Sequence, residues 1–275
     1  MTESGRPEIG ATVDAGGVKT NYLEAGDGPP VILIHGSGPG VTAYANWGGV
    51  LPVLGERFRV IAPDMVGFGF TDRPSDATYN VQTWADQVLA VMDALDVPNA
   101  SLVGNSFGSA IAMRLATQHP ERVDRLVLMG SMGVVFPITE GLDRVWGYTP
   151  SIENMRAVLD VFAYNRELIT DELAEVRYRA SVQPGFQESY GAMFPAPRQQ
   201  WVEAMRTPED EIRRLPHPTL ILHGREDQVI PVATSLRLIQ LIDRADLHVF
   251  GRCGHWVQIE RAADFTRLVR DFLSD

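Results

Sequence analysis

The pentapeptide Gly104-Asn105-Ser106-Phe107-Gly108 sets a serine between two glycines, behind the apolar pair Leu102-Val103 and ahead of a helical pattern over Phe107–Gln118. A sharp strand-to-helix turn at that point lifts the hydroxyl above the sheet edge. The flanking glycines remove side chains that would collide with it, and the first N–H groups of the helix are left free to receive an oxyanion. That chemistry is nucleophilic attack on a carbonyl carbon. A serine hydroxyl at neutral pH attacks nothing without a base, so a histidine must reach it in space. Six histidines are available. His119 stands at a helix stop before Pro120, His217 lies between two prolines, and His248 falls inside a strand. His35 and His223 end strands, but each leads into a Gly-containing loop with another use, and both read as structural. His255 follows the apolar run 247–250 in the Gly-rich loop Gly251-Arg252-Cys253-Gly254-His255-Trp256, at the strand end where such sheets build their sites. The orienting acid belongs between serine and histidine in chain order. Gly224-Arg225-Glu226-Asp227 follows the strand ending at His223, and Asp227 is the natural choice there; Glu226 is its competitor, since adjacent residues in a turn point different ways.

Positioning these groups takes a sheet whose strand ends meet. Residues 18–24, 31–34, 58–62, 102–103, 126–129, 219–223 and 247–250 read as strands. The apolar spacing over 81–95 and the segment Phe107–Gln118 read as helices between them, the second stopped near Pro120. Strands alternating with helices imply right-handed crossovers and a mainly parallel sheet covered on both faces. The expectation is an α/β fold with eight strands, its core formed by residues 1–135 and 216–275. Over 136–215 the alternation stops, and Ile152–Phe162 and 170–181 stand out as helices; this stretch is expected to be a helical cap inserted into the core.

Composition narrows the function classes. The chain has 275 residues, of which 45% are hydrophobic and 21% charged, enough for a large core plus a subdomain. A net charge of −11 disfavours nucleic acid and anionic lipid as partners. Lys19 is the only lysine, so nearly every cation is an arginine fork suited to carboxylates. Cys253 is the only cysteine, which excludes an intrachain disulfide, leaves a thiolate metal site without ligands and fits a cytoplasmic setting. Residues 1–10 carry charges and Pro7 instead of an apolar signal, and the longest uncharged stretch, 28–55, is interrupted by Gly and Pro; no membrane span or secretion is expected. The loop His35-Gly36-Ser37-Gly38-Pro39-Gly40 lets backbone approach a substrate oxygen, and it lacks the lysine and spacing of a phosphate-binding loop. It sits where a second oxyanion N–H would come from.

Taken in order, His35 to Gly40, Ala45-Asn46-Trp47, Gly104 to Gly108, Gly224 to Asp227 and Cys253 to Trp256 resemble the meta-cleavage product hydrolases of the α/β-hydrolase superfamily, over nearly the whole chain. The likeness is nearest to the branch acting on alkyl-substituted ring-fission products. It implies hydrolysis of a carbon–carbon bond in 2-hydroxy-6-oxo-2,4-dienoates during bacterial aromatic catabolism, giving 2-hydroxypenta-2,4-dienoate and a carboxylic acid without cofactor or metal. It further implies Ser106, Asp227 and His255 as triad and the Ser37 and Phe107 N–H groups as oxyanion donors. Gly36, Asn46, Asn105 and Trp256 would contact the dienoate, and Arg177 in the cap would bind its carboxylate. The plain alternative for Arg177 is a solvated helix charge, although Leu173 and Val176 mark an apolar stripe beside it. Two positions depart from the family pattern: Ser109 stands where Gly is frequent, and Gly48 where Arg often follows the Ala-Asn-Trp run. An esterase on the same triad and a non-catalytic ligand-binding protein of this fold are the other readings; a homo-oligomer, and an acyl-enzyme as against a serine-activated water, are left open.

Overall fold

Parallel strands covered on both faces should read as unbroken apolar runs, and the runs of that kind here lie side by side. The computed structural model describes residues 6–275. Its strands are β1 (Ala11–Ala15), β2 (Val18–Ala25), β3 (Pro30–Ile34), β4 (Arg59–Pro63), β5 (Ala100–Asn105), β6 (Val123–Met129), β7 (Thr219–Gly224) and β8 (Ala245–Phe250), joined in one sheet in the order β1-β2-β4-β3-β5-β6-β7-β8. β1 with β2 and β2 with β4 are antiparallel, and every later pair is parallel. Side chains alternate across the sheet: Ile32, Ile34, Leu102, Leu126, Leu128 and Ile221 enter one apolar cluster, while Val31, Leu33, Val103, Val127, Leu220 and Leu222 enter the other.

The helices are α1 (Ala43–Trp47), α2 (Leu51–Leu54), α3 (Val81–Ala94), α4 (Phe107–Gln118), α5 (Glu140–Trp146), α6 (Ile152–Phe162), α7 (Asp171–Ser181), α8 (Phe186–Met193), α9 (Gln199–Ala204), α10 (Glu209–Ile212), α11 (Ala233–Leu241), α12 (Val257–Glu260) and α13 (Ala262–Ser274). α3 and α4 cover one face; Trp47, Leu54, Phe265 and Val269 of α1, α2 and α13 fill the other. Helices α5 to α9 all fall between β6 and β7, and their buried residues Leu142, Met155, Leu159 and Tyr190 extend the α4-side cluster. No helix among the described residues is long and apolar enough to cross a membrane.

Expected and observed elements agree at α4 and α6 end for end. α7 begins one residue late, because Thr170 is its N-cap and accepts from Leu173 N at 3.1 Å. The strand read at 58–62 is shifted to Arg59–Pro63, Phe58 being a buried core residue just ahead of it. The strand that no apolar run located is β1, an antiparallel edge with mostly exposed side chains. It is joined to β2 by Gly16-Gly17 at φ 64° and 88°, the two positive angles a two-residue hairpin turn requires.

Candidate active site

The loops at the C-terminal ends of β3, β5, β6, β7 and β8 converge beneath α5, α6 and α7. At the end of β5, Ser106 has φ 57° and ψ −113°, a strained position for a residue with a side chain. The turn closes because its neighbours are glycines: a Cβ on Gly104 would lie 2.5 Å from Gly108 O, and one on Gly108 would lie 2.3 Å from Ile34 O. Ser106 N donates to Met129 O at 2.7 Å, pinning the turn to β6. Ser109 is fully buried and satisfied by donating to Gly104 O at 2.8 Å.

His255 and Asp227 come together from β8 and β7. His255 Nδ1 lies 2.7 Å from Asp227 Oδ2, and both side chains are buried. The other carboxylate oxygen accepts from Val229 N at 2.7 Å and Ile230 N at 2.9 Å. Burial alone would raise the Asp227 carboxyl; the facing His255, with further help from His223, outweighs it and holds the acid well below the usual carboxylate range. A carboxylate therefore faces Nδ1, which fixes that nitrogen as the protonated one and leaves Nε2 as the basic atom. Glu226 points elsewhere: it pairs with Arg225 at 2.7 Å and accepts from Cys253 N at 3.0 Å.

Two supports of this pair escaped the sequence reading. His223, read as structural, lies 3.4 Å from Asp227 Oδ2 through Nε2 while its Nδ1 meets Ser235 Oγ at 2.7 Å, so it belongs to the surroundings of the acid. Gly130 ends β6 at φ 51°, and a Cβ there would sit 3.2 Å from the His255 ring and 3.3 Å from Asp227 Oδ2. The backbone of His255 is itself held by the end of α6, donating to Phe162 O at 2.7 Å, and the Phe162 ring stacks on His255 and Trp256.

On the β3 side, neither Ser37 N–H nor Phe107 N–H has a hydrogen-bond partner among the described residues. The peptide carrying Ser37 N–H is gripped through its carbonyl: His35 Nδ1 donates to Gly36 O at 2.8 Å, and Met65 N donates to His35 Nε2 at 3.0 Å. Burial pushes His35 down to about 4, so it is neutral at working pH, and the two partners fix its tautomer. Gly36 N donates to Asn46 Oδ1 at 2.8 Å, and Asn105 Nδ2 donates to the same oxygen at 3.1 Å. α1 carries Asn46, and this five-residue helix is tied at its start by Thr42, which caps Ala45 N, and by Asp64, which accepts from Ala43 N at 2.6 Å. Asn105 Oδ1 is buried and has no partner.

Ser106, His255, Ser37, Gly36, Asn46, Asn105, Arg177 and Trp256 border one cavity. Its lining is mixed in chemistry. Leu142, Val145, Met155, Val158 and Val229 are apolar, whereas Asn46, Asn105 and Arg177 are polar, Asn105 bonding to Asn46 and Arg177 to Ala45, the residue before Asn46. Arg177 donates to Ala45 O at 3.1 Å and lies 5.8 Å from the Trp256 ring, and no described carboxylate forms an ion pair with it. Burial pulls its guanidinium down to about 10, partly offset by the more distant Glu8, so it stays charged at neutral pH. The stripe expected beside it is corrected in part by the structure. Leu173 packs against the core, but Val176 is exposed, and the buried residues of α7 are Ala174 and Ser181, three and four residues either side of Arg177. Gly48 borders a separate outer groove and not this cavity.

Residues 29–262 match the alpha/beta hydrolase fold family. The chain is 61% identical to a 2-hydroxymuconate semialdehyde hydrolase of a Pseudomonas species, over 98% of this chain and 95% of the relative. It is 59% identical to a 2-hydroxy-6-oxo-2,4-heptadienoate hydrolase of Pseudomonas putida, over 97% of each. A solved meta-cleavage product hydrolase from Pseudomonas fluorescens IP01, complexed with acetates, superposes with a TM-score of 0.97 at 59% identity, covering 98% of this chain and 99% of that one. The chain belongs to the meta-cleavage product hydrolases. It is thus a serine-type α/β hydrolase acting on carbon–carbon bonds, and the expected fold and class both hold. For a meta-cleavage product hydrolase the mixed lining is informative: Ser106 and His255 share one cavity with the Arg177 guanidinium and with a set of apolar side chains.

Proposed function

We propose that the enzyme hydrolyses 2-hydroxy-6-oxo-2,4-dienoates bearing a small group at C6, in the cytoplasm, with residues 136–215 serving as a cap over the reacting centre. The observation that carries this reading is Arg177, a cation with no carboxylate ion pair among the described residues that borders the same cavity as Ser106 and His255. A planar carboxylate fits its fork, and the apolar side chains of the lining accommodate an alkyl substituent. Relatives named for a semialdehyde and for a heptadienoate, substrates with hydrogen and methyl at C6, support a small group.

In this reading Arg177 holds the 1-carboxylate while Asn46 and Asn105 hold the 2-oxygen. His255 moves a proton so that the 2-hydroxyl becomes a 2-oxo group and C5 gains hydrogen. Only this keto form gives the departing carbon an electron sink. His255 Nε2 takes the Ser106 proton, Ser106 Oγ bonds to C6, and the resulting oxyanion is received by the Ser37 and Phe107 N–H groups. The C5–C6 bond then breaks, its electron pair passing through C4 and C3 to the 2-oxygen; protonation there gives 2-hydroxypenta-2,4-dienoate. Water cleaves the acyl group from Ser106, restoring the enzyme and releasing the acid. The test is kcat/KM across yellow ring-fission products with methyl, isopropyl and phenyl groups at C6. Methyl or isopropyl is expected to lead, and a tenfold preference for phenyl would overturn the small-group assignment.

A further inference from the structure

An oxyanion donor contributes in proportion to how well it is held, and Ser37 is held from the cap as well as from the core. Trp146 at the end of α5 donates its indole N–H to Ser37 Oγ at 2.9 Å. The Tyr190 hydroxyl on α8 lies 2.7 Å from Val145 O and 3.2 Å from Ser37 O, so its single hydrogen is shared between the last turn of α5 and the Ser37 carbonyl. Both side chains are buried, and neither borders the cavity. They are also locked to each other. The Trp146 ring stacks on Phe194 at 4.4 Å and 6°, and Tyr190 meets the same ring edge-on at 6.0 Å. Burying an indole N–H and a phenol demands partners. Carbonyls of the cap helices' own ends could serve that need, yet two side chains from two cap helices converge on one residue of the β3 loop.

We propose that Trp146 and Tyr190 are positioning residues that fix the Ser37 N–H to the cap, so that the oxyanion hole is complete only while α5 and α8 are seated on the core. This rests on the assignment of Ser37 N–H as an oxyanion donor. With Ser37 Oγ and O fixed by the cap, and the preceding peptide fixed by His35 and Asn46, the donor has no freedom to turn away from the carbonyl oxygen. Neither residue touches substrate, so each acts on the transition state and leaves ground-state binding alone.

Trp146→Phe and Tyr190→Phe each remove one donor and keep the ring. The expected loss in kcat is about 10- to 30-fold for Trp146→Phe and about three- to fivefold for Tyr190→Phe, below the hundredfold or more of an outright lost donor, with KM within about twofold. The losses are expected to be the same on the dienoate and on p-nitrophenyl acetate. An alkylboronic acid, which forms a tetrahedral oxyanion mimic on a serine, should bind more weakly by the same factors, while 2-hydroxypenta-2,4-dienoate should bind as to the native protein. In a Ser37→Ala background, which keeps the N–H, Trp146→Phe should cost less than about twofold more, because its effect runs through the missing hydroxyl. Variants with native kcat per active site and native boronate affinity would overturn the positioning role. A native enzyme that binds the boronate no better than simple carboxylates would instead overturn the oxyanion assignment beneath it.

Discussion

Replacing Arg177 with alanine separates recognition of a dienoate from the chemistry common to all acyl substrates. In the free protein the guanidinium holds one neutral acceptor, Ala45 O at 3.1 Å, and lies 5.8 Å from the Trp256 ring; a substrate carboxylate would be its first charged partner in hydrogen-bond contact. Truncating one side of a desolvated, bidentate charge pair costs about 2–5 kcal/mol. Arg177 also borders the outer groove, where water replaces part of the lost interaction, so the lower half of that range applies. A loss of about 2–3 kcal/mol corresponds to roughly 30- to 160-fold in kcat/KM. Arg177→Lys should fall in between, since it keeps the charge and loses the planar fork. The assay follows the disappearance of the yellow methyl-substituted dienoate at neutral pH, in parallel with p-nitrophenyl acetate, whose turnover should change by less than about threefold because a neutral ester offers no partner for the charge. Equal losses on both substrates, with an unchanged melting temperature, would refute the carboxylate clamp.

Asp227→Asn should lower kcat by about three to four orders of magnitude, because an amide facing Nδ1 stabilises the wrong His255 tautomer; near-native turnover alongside an inactive Glu226→Gln would identify the other acid. Folding depresses the Asp227 pKa, so the stability it confers is complete above its unfolded value near 3.9 and is lost as the pH falls below that value. The drop in Tm between about pH 4 and 2 should therefore be shallower in Asp227→Asn than in the native chain, and parallel curves would contradict the depressed carboxyl. Gly130→Ala places a methyl 3.2 Å from the His255 ring at a positive φ, and should cost about tenfold or more in kcat on every substrate while the protein still folds; native kcat would mean that the pair tolerates displacement. Burial raises the Cys253 thiol to about 12. Its neutral form stabilises the fold fully below the unfolded value near 8.5, and that contribution is lost as the pH climbs towards 12, so native protein at pH 8 should react with a disulfide reagent about a hundredfold more slowly than denatured protein. Rapid labelling of the native chain would show that the loop opens.

What could be read in advance was local. Ser106 betrays itself because the turn that exposes it forbids side chains on both sides, and glycine spacing records that prohibition in five adjacent residues. The inner parallel strands β3, β5 and β7 are legible because burial on both faces leaves few polar positions to interrupt the run. β1 was invisible for the opposite reason, as an edge with exposed side chains paired by backbone alone. His223 looked like a strand-end residue because its role is made by Asp227, Ile230 and Ser235, which only the fold brings to it. Arg177 was found through family likeness, and the apolar stripe offered for it was half right: Leu173 packs against the core, but Val176 faces out, and the fully buried residues of α7 are the small Ala174 and Ser181, which make a weak hydrophobic signal.

The order of strands explains why the least conspicuous residue of the site is indispensable to its shape. Ser106 ends β5, Asp227 follows β7 and His255 follows β8, so the sheet order β5-β6-β7-β8 puts β6 between the serine and the acid–base pair. The imidazole must lean back over β7 and β6 to face Ser106, and the acid must come with it to keep its 2.7 Å contact. Whatever ends β6 lies underneath both. Gly130 is that residue, with the His255 ring and Asp227 Oδ2 at 3.2 and 3.3 Å from where its side chain would begin. On the other flank β3 is the direct neighbour of β5, so the Ser37 loop stands beside the Ser106 turn with no strand between them, and under the proposed role it needs support from above, not clearance from below. One side of the serine is therefore built by removing a side chain and the other by adding Trp146 and Tyr190 from the cap, which predicts opposite sensitivities: enlargement is harmful at residue 130, and truncation at residues 146 and 190.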